Sequence, residues 1–311
     1  MRKSLMYVTV PVCLSIIAAG AWFVRAGSLT PPPGPVAGTM VTLDDLMVAV
    51  TAIGGGGGGG DTRTPITALP FTILAPGSYV VTMDLVSVGT PGITIVASDV
   101  TIDLNGFEMT GLPAGPGEDA IVLFPGFDNV TVFNGSIHDW GGDGLDLAGG
   151  MGHRVYDVTV ESCGENGVLL GSNSRLSDCI IRLNAGDGIA AVDNNRIVNT
   201  VATLNGVPGG PGLGLGDGIF LGGINNTLEG CVLASNFDDG VGSAFATNTA
   251  HDCTAETNGG SGFFGVARLT DCLANVNGSD GVFLTNGVAI NCVANGNGLN
   301  GFDVAFSHLS D

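Results

Sequence analysis

The sequence predicts an all-β fold, a right-handed parallel β-helix of about nine stacked coils with a period of about 21 residues. Two observations predict this fold class. A motif recurs at a nearly constant spacing after residue 70, and a period of 20 to 50 residues is the signature of a solenoid. The composition, with 53 glycines and only 12% charged residues, is typical of short strands joined by tight turns. It argues against a helical bundle.

The repeat is clearest in Asp178–Ile189 and Asp271–Val282. Each segment has an acidic residue, then Cys, then Asn five positions and Gly nine positions after the Cys. Apolar residues recur three positions before the Cys, at it and two positions after it, which predicts inward-facing strands stacked about 4.8 Å apart in one narrow, continuous core. The first and third of these columns are Val132, Val155, Leu176, Ile197, Leu228, Ala250, Leu269 and Ala289, and Ile137, Val160, Ile181, Ala202, Leu233, Ala255, Ala274 and Ala294.

Asparagine and glycine mark the bends of each coil. We expect the asparagines to adopt the left-handed conformation and their stacked amides to hydrogen-bond along the solenoid. The glycines are expected to supply a second tight bend. The recurring asparagines are Asn184, Asn205, Asn236, Asn258, Asn277 and Asn297.

The N-terminal residues predict export. Residues 1–26 contain two early basic residues and then an apolar run, Leu5–Val24, which is the order found in a signal peptide. The run is also long enough to remain as an uncleaved membrane anchor. Residues 27–69 are rich in Pro and Gly and predict a linker, and residues 70–311 form the β-helix. The expected location is therefore secreted, periplasmic or at the cell surface.

Two further segments, Val100–Phe107 and Val130–Gly135, carry a family resemblance. Together with the coil pattern they resemble secreted bacterial proteins of the pectin-lyase-like superfamily. The resemblance covers roughly residues 71 to 311 and implies the right-handed β-helix. It does not imply one activity, because that superfamily includes lyases, glycoside hydrolases, epimerases and adhesins.

The net charge of −20 limits the partners. Such a charge repels nucleic acid and anionic lipid over long range. Extracellular polysaccharide or components of the cell envelope are the expected partners, with cations or neutral sugars favoured by the charge. A membrane is expected as a partner only if the N-terminal segment stays uncleaved. The sequence leaves the oligomeric state open.

Four cysteines, Cys231, Cys253, Cys272 and Cys292, fall in one inward column on consecutive coils. In an exported protein an even number of cysteines suggests disulfides. Parallel side-chain vectors disfavour disulfide geometry, however. We therefore expect a ladder of small buried thiols.

An acidic column precedes the recurring glycine. Adjacent like charges about 4.8 Å apart would repel by about 3.5 kcal/mol at an effective dielectric constant of 20. The simpler interpretation is that Asx-Gly pairs form good turns whose side chains cap backbone amides. The alternative is that Ca²⁺ binds between successive carboxylates, with Asp187, Asp217 and Asp239 as its ligands.

Four residues on two adjacent coils are candidates for catalysis: His138, Asp146, His153 and Arg154. They include the acid, base and cation types that glycoside cleavage or β-elimination needs. No Gly-His-Gly or Arg-x-Lys motif of polygalacturonases is present. We therefore favour a non-catalytic structural or glycan-binding role that requires no cofactor, and keep a polysaccharide lyase or glycoside hydrolase as the alternative, with calcium as its candidate cofactor.

Overall fold

The fold is known from a computed structural model. The structure describes residues 61–87, 89, 91–112, 117–208, 216–305 and 308–310. Residues 61–311 form one compact unit. The predicted signal segment and residues 27–60 of the predicted linker lie outside the described residues.

The unit is a parallel β-solenoid whose coils each contribute strands to three faces. Sheet I forms one face and contains eleven strands. They are β2 (Phe71–Ile73), β5 (Ile93–Ile95), β8 (Ile121–Leu123), β10 (Leu145–Met151), β12 (Val168–Ser172), β15 (Ile189–Ala191), β18 (Ile219–Leu221), β21 (Val241–Ser243), β24 (Phe263–Phe264), β27 (Val282–Thr285) and β30 (Phe302–Ala305).

Two more stacks, sheet II and sheet III, form the other faces and are joined by the long strands β9 (Thr131–His138) and β11 (Arg154–Glu161), which bend across both. Sheet II otherwise contains β1 (Thr64–Ile66), β3 (Gly77–Val81), β6 (Val100–Asp103), β13 (Arg175–Ser177), β16 (Arg196–Val198), β19 (Thr227–Glu229), β22 (Thr249–His251), β25 (Arg268–Thr270), β28 (Val288–Ile290) and β31 (His308–Ser310). Sheet III contains β4 (Leu85–Val86), β7 (Glu108–Thr110), β14 (Ile180–Arg182), β17 (Val201–Thr203), β20 (Val232–Ala234), β23 (Thr254–Glu256), β26 (Leu273–Asn275) and β29 (Val293–Asn295).

The solenoid begins before residue 70. Strand β1 lies inside the range expected to be linker, yet it pairs in parallel with Tyr79–Val81 of β3 and buries Ile66 completely. With eleven strands in sheet I, the stack also has about ten turns instead of nine. The early coils lack the Asx-Cys motif, so counting that motif underestimates the length.

The predicted inward columns are confirmed. Val132 pairs in register with Val155, and Val155 with Leu176. The third predicted column runs likewise through Val160, Ile181 and Ala202. All of these side chains are at most 1% exposed. Because successive side chains point to opposite sides of each short strand, the apolar positions of all coils face inward and form one continuous core.

The asparagine ladder is also confirmed, but the left-handed residue is not the asparagine. The Asn205 side chain donates from Nδ2 to Asn236 Oδ1 at 3.1 Å, and Asn236 Nδ2 donates to Asn258 Oδ1 at 2.9 Å. Positive φ occurs one residue earlier, for example 58° at Leu204 and at Ser235. The bend is made by the preceding residue, which leaves the asparagine side chain free to point inward and bind the next coil.

The recurring glycines are required by close approach of the backbones. A Cβ atom on Gly218 would lie 2.8 Å from the carbonyl oxygen of Gly240, and one on Gly240 would lie 2.6 Å from that of Gly262. Neither residue has positive φ. Successive coils thus pass within contact distance at this corner, and a side chain there would push them apart.

Candidate functional sites

The structure does not bring the four predicted catalytic residues together. His138 ends β9 on sheet III, Asp146 lies on β10 in sheet I, and Arg154 begins β11 on sheet II. These three positions point away from three different faces of the solenoid. A single cleft containing the three side chains does not form, although they lie within 17 positions in sequence.

His153 is inside the solenoid. It is 1% exposed, its Nδ1 accepts a hydrogen bond from the backbone of Val130 at 3.2 Å, and its own backbone N–H donates to Ser174 Oγ at 2.9 Å. Burial lowers the pKa of the imidazole. The residue therefore occupies a neutral, structural position that a polysaccharide does not reach.

His153 belongs to a second polar ladder, at the corner between sheets I and II, that the sequence reading missed. Ser174 donates its backbone N–H to Asn195 Oδ1, Asn195 to Asn226 Oδ1, and Asn226 to Asn248 Oδ1, at 2.7 to 2.8 Å. The spacing of these asparagines repeats the coil period. The recurrence of asparagine at the coil period was therefore the sequence signal that could have predicted this ladder.

His138 is held between two carboxylates. Its Nδ1 lies 3.0 Å from Asp139 Oδ2, and its Nε2 contacts Glu108 Oε1. Partial burial opposes protonation of the ring, but the hydrogen bonds to Asp139 and Glu108 outweigh it and raise the pKa of His138. The two carboxylates therefore fix the imidazole on sheet III and favour its protonated form.

The acidic column caps the backbone amides of neighbouring coils. Asp187 Oδ1 accepts from the backbone N–H groups of Gly216 and Asp217, both at 2.9 Å. Asp217 Oδ1 in turn accepts from Asp239 at 2.9 Å, and Asp239 Oδ1 accepts from Ser261 at 2.5 Å. These contacts agree with the simpler interpretation, in which the carboxylates satisfy buried amides.

Three carboxylates nevertheless cluster. Oxygen atoms of Asp217, Asp238 and Asp239 all lie within 4.8 Å of one another. Asp238 thus takes the place that the sequence reading gave to Asp187. Among the described residues no other group of three acidic, histidine or cysteine side chains is as close. We call these residues the carboxylate trio.

The trio is electrostatically strained. Burial, followed by repulsion from Asp239 and Asp187, raises the pKa of Asp217 to about 10. Burial also raises the pKa of Asp239 to about 7, against the hydrogen bond from Ser261. The oxygen donors fit a hard divalent cation such as Ca²⁺, and such an ion would relieve the repulsion between them.

The trio borders the outer surface of sheet I. A Cβ atom on Gly242 would lie 2.0 Å from Asp217 Oδ2, so the missing side chain of Gly242 provides the space for this carboxylate. The flanking outward positions on sheet I are Phe220 and Phe264. An apolar surface therefore adjoins the acidic group.

Sheet II carries a basic column that the sequence reading did not recognise. Arg154, Arg175 and Arg196 are register neighbours on β11, β13 and β16, and all three are exposed. We call them the arginine ladder. They supply three of the eight arginines in a chain of net charge −20, so a third of all its basic side chains are gathered on one face.

Two of these arginines form no close ion pair, although Glu229, the partner of Arg196, also attracts Arg175. Arg196 pairs with Glu229, whereas Arg154 and Arg175 form no ion pair with any of the described residues. Beside them is a shallow pocket of about 320 Å³ lined by Arg154, Val155, Tyr156, Arg175 and Ser177. The ring of Tyr156 stacks on that of Phe133, with centroids 4.9 Å apart. The face thus combines free guanidinium groups with an aromatic edge.

Comparisons with known proteins define the class. A family model described as a right handed beta helix region matches residues 99–243, just under half of the chain. The Dettilon tailspike protein aligns with 12% identity and a TM-score of 0.54, over 78% of this chain and 60% of its own. The periplasmic alginate epimerase AlgG aligns with 13% identity and a TM-score of 0.50, over 75% of this chain and 65% of its own.

Pectate lyase Pel9A is a further match, with 17% identity and a TM-score of 0.45, over 66% of this chain and 62% of its own. The protein is a right-handed parallel β-helix, as the sequence predicts. At these identities the likeness establishes the fold alone, and the chain spans about 60 to 65% of these three structures. Comparison with curated proteins finds no match. The described residues contain no helix able to cross a membrane.

Proposed function

We propose that this protein is an exported, non-catalytic glycan-binding protein whose arginine ladder binds an acidic polysaccharide. The observation that carries the proposal is the in-register stacking of Arg154, Arg175 and Arg196. Guanidinium groups bind carboxylates in a bidentate manner. Their spacing along the solenoid, about 4.8 Å per coil, suits a polymer that repeats its negative charges and runs along the axis.

The overall negative charge does not prevent this binding. The Debye length is about 8 Å at physiological ionic strength, so distant acidic residues are screened while a ligand in contact with the ladder is not. Arg154 and Arg175 carry no competing ion pair, so a ligand can bind to these two without breaking one, whereas at Arg196 it competes with Glu229. The outward position of Tyr156 adds an aromatic contact for a sugar ring. A carbohydrate partner also fits the fold shared with an alginate epimerase.

Binding is tested with purified protein and soluble polysaccharides in affinity electrophoresis. We expect polyuronates to retard the protein and neutral dextran to have no effect, with the retardation falling as salt increases. The Arg154→Ala/Arg175→Ala variant should lose at least about tenfold in affinity, since each charge-assisted contact contributes about 1.5 to 3 kcal/mol.

Arg268→Ala is the matched control. Arg268 occupies the same outward column on β25, but its register neighbours are Thr249 and Val288. It removes one positive charge without altering the ladder. Equal loss of affinity in Arg268→Ala and in an Arg175→Ala variant would show that net charge alone is responsible, and retention of wild-type affinity by the double variant would refute the proposal.

The carboxylate trio favours a second candidate, a carbohydrate-active enzyme of the lyase or hydrolase type that depends on Ca²⁺. Carboxyl groups with separated pKa values can act as acid and base in glycoside cleavage. New reducing ends or double-bond absorbance on a uronate or neutral polysaccharide, abolished by EDTA and by Asp239→Asn, would support it. Activity that survives Asp239→Asn would exclude the trio as its source.

A further inference from the structure

Sheet III has an apolar outer surface that belongs to neither candidate site. We define the sheet III face as the outward residues of β14, β17, β20, β23, β26 and β29, together with the residue that follows each of these strands. The first residue of each strand points outward, and the six first residues are register neighbours. They are Ile180, Val201, Val232, Thr254, Leu273 and Val293. Five of the six are apolar, and Ile180, Val232 and Val293 are between 41% and 48% exposed.

The residue after each of these strands begins the corner between sheets III and I, and it has positive φ. At three coils this residue is large and apolar: Leu183, Leu204 and Val276 have φ of 60°, 58° and 56°. Their side chains are 49%, 50% and 59% exposed. Bulky and β-branched residues disfavour the left-handed conformation. In an isolated chain, leucine and valine are therefore unfavourable at these positions both for the backbone and for hydration.

The corner between sheets II and III provides an internal comparison. Its bend residues also have positive φ, but they are aspartate, asparagine or glycine, the types that adopt this conformation most readily. They are Asp178, Asn199, Gly230, Asp252, Asp271 and Asn291. The same coils thus place favoured residue types at one bend and exposed leucine or valine at the next. A partner that covers the apolar side chains accounts for this difference.

The charge of the sheet III face indicates which partner fits. Among its outward residues only Arg182 and Glu256 are charged, so the face has no net charge, although the whole chain has a net charge of −20. Two copies of this chain repel each other at long range, and a neutral, apolar face is where they can approach with the least repulsion. A surface of anionic lipid has no neutral face to offer and is repelled by the chain as a whole.

We propose that the sheet III face binds a second copy of this chain in a two-fold symmetric dimer. In such a dimer both copies use the same surface, so the exposed leucines and valines of each are covered. Six coils about 4.8 Å apart, with four residues of about 3.3 Å across each, give a flat footprint of roughly 380 Å² per copy. Protruding side chains increase the accessible area, so the dimer buries about 1,000 Å² in total, the size of a weak, transient interface.

Sedimentation velocity of the purified protein tests the dimer. From about 1 to 300 µM, the range of dissociation constants for weak interfaces, the average mass should rise from that of one chain toward that of two. Raising NaCl from about 0.05 to 0.5 M should strengthen the association, because salt screens the repulsion between two negatively charged copies. Binding of a polyuronate to the arginine ladder should weaken with salt instead, so the two proposals can fail independently.

Leu183→Asn/Leu204→Asn is the informative variant. It should weaken dimerisation at least about tenfold, since each copy loses two apolar side chains from the interface. At a concentration where the wild type is monomeric, the same variant should melt no lower than the wild type, because asparagine adopts the left-handed conformation more readily than leucine does. If the leucines served only to pack the solenoid, the melting temperature of the monomer would fall.

Ile224→Asn is the matched control. Ile224 is 41% exposed but lies at the corner between sheets I and II, away from the sheet III face, so this variant should dimerise as the wild type does. The Arg154→Ala/Arg175→Ala variant should dimerise normally as well. The proposal is overturned if the wild type stays monomeric over this range, if Ile224→Asn loses as much association as the leucine variant, or if the leucine variant melts below the wild type as a monomer.

Discussion

Replacing Asn236 with alanine tests the asparagine ladder directly. The Asn236 side chain accepts hydrogen bonds from the backbone N–H and from Nδ2 of Asn205, both at 3.1 Å. Its Nδ2 donates to Ala202 O at 3.0 Å and to Asn258 Oδ1 at 2.9 Å. All four bonds cross between coils, and Asn236 is 2% exposed, so water cannot replace the lost partners.

The expected cost follows from this count. A typical intramolecular hydrogen bond contributes about 1 kcal/mol net, and a buried group left unpaired costs about 1 to 3 kcal/mol. Four lost bonds therefore lower the free energy of unfolding by about 4 kcal/mol. With a urea m-value of about 2 kcal/mol/M, the unfolding midpoint should fall by about 2 M.

Urea unfolding followed by circular dichroism measures this shift. Asn295→Ala serves as the control, because Asn295 is exposed on the outward side of β29, where substitutions usually change stability by less than about 0.5 kcal/mol. If Asn236→Ala unfolds within about 0.5 kcal/mol of wild type, the ladder does not hold the coils together and the reasoning fails.

Three further outcomes are expected. Without divalent cations, the melting temperature should fall as the pH rises from about 4 to 8. The raised pKa values of Asp217 and Asp239 mean that these carboxyl groups keep protons in the folded state at pH values where they have lost them in the unfolded state. A melting temperature that does not change with pH would contradict this. Calorimetry with CaCl₂ at pH 7.5 should show heat and a higher melting temperature, both lost in Asp238→Asn/Asp239→Asn, and no heat with wild type would exclude the calcium site. Gly240→Ala should destabilise the protein by about 1 to 3 kcal/mol, since its Cβ would lie 2.6 Å from a carbonyl oxygen of the next coil, and an unchanged urea midpoint would refute the close-approach argument.

The interior of the solenoid could be predicted from the sequence almost residue by residue. Val155, Leu176 and Ile197 could be aligned because an inward position stays apolar when it stacks on its counterpart in the next coil. The asparagine and cysteine ladders recur at the same spacing, and the four ladder cysteines are free thiols, three of them buried. Strand β1 could not be found in this way, since Thr64–Ile66 carries no copy of the motif and is placed by its pairing with β3 and by the burial of Ile66.

The candidate functional sites, by contrast, could not be predicted from the sequence. His138, Asp146 and Arg154 are close in sequence, but the chain turns two corners between the first and the last, so they end on three faces. Arg154, Arg175 and Arg196 lie 21 residues apart, yet their register makes them neighbours. The core does not restrict which residues occupy the outward positions. The sequence around each outward residue therefore does not show whether its side chain binds a ligand or is only hydrated.

The sequence by itself determined the β-helix and most of its inner columns, because burial selects residues of similar polarity at the same position of successive coils. The tertiary structure alone decided which outward side chains meet, which residue makes each bend, and that Asp238 and not Asp187 completes the carboxylate trio. Those contacts depend on where each coil turns its corners and on how neighbouring coils are aligned, and both are properties of the stacked solenoid and not of any single repeat.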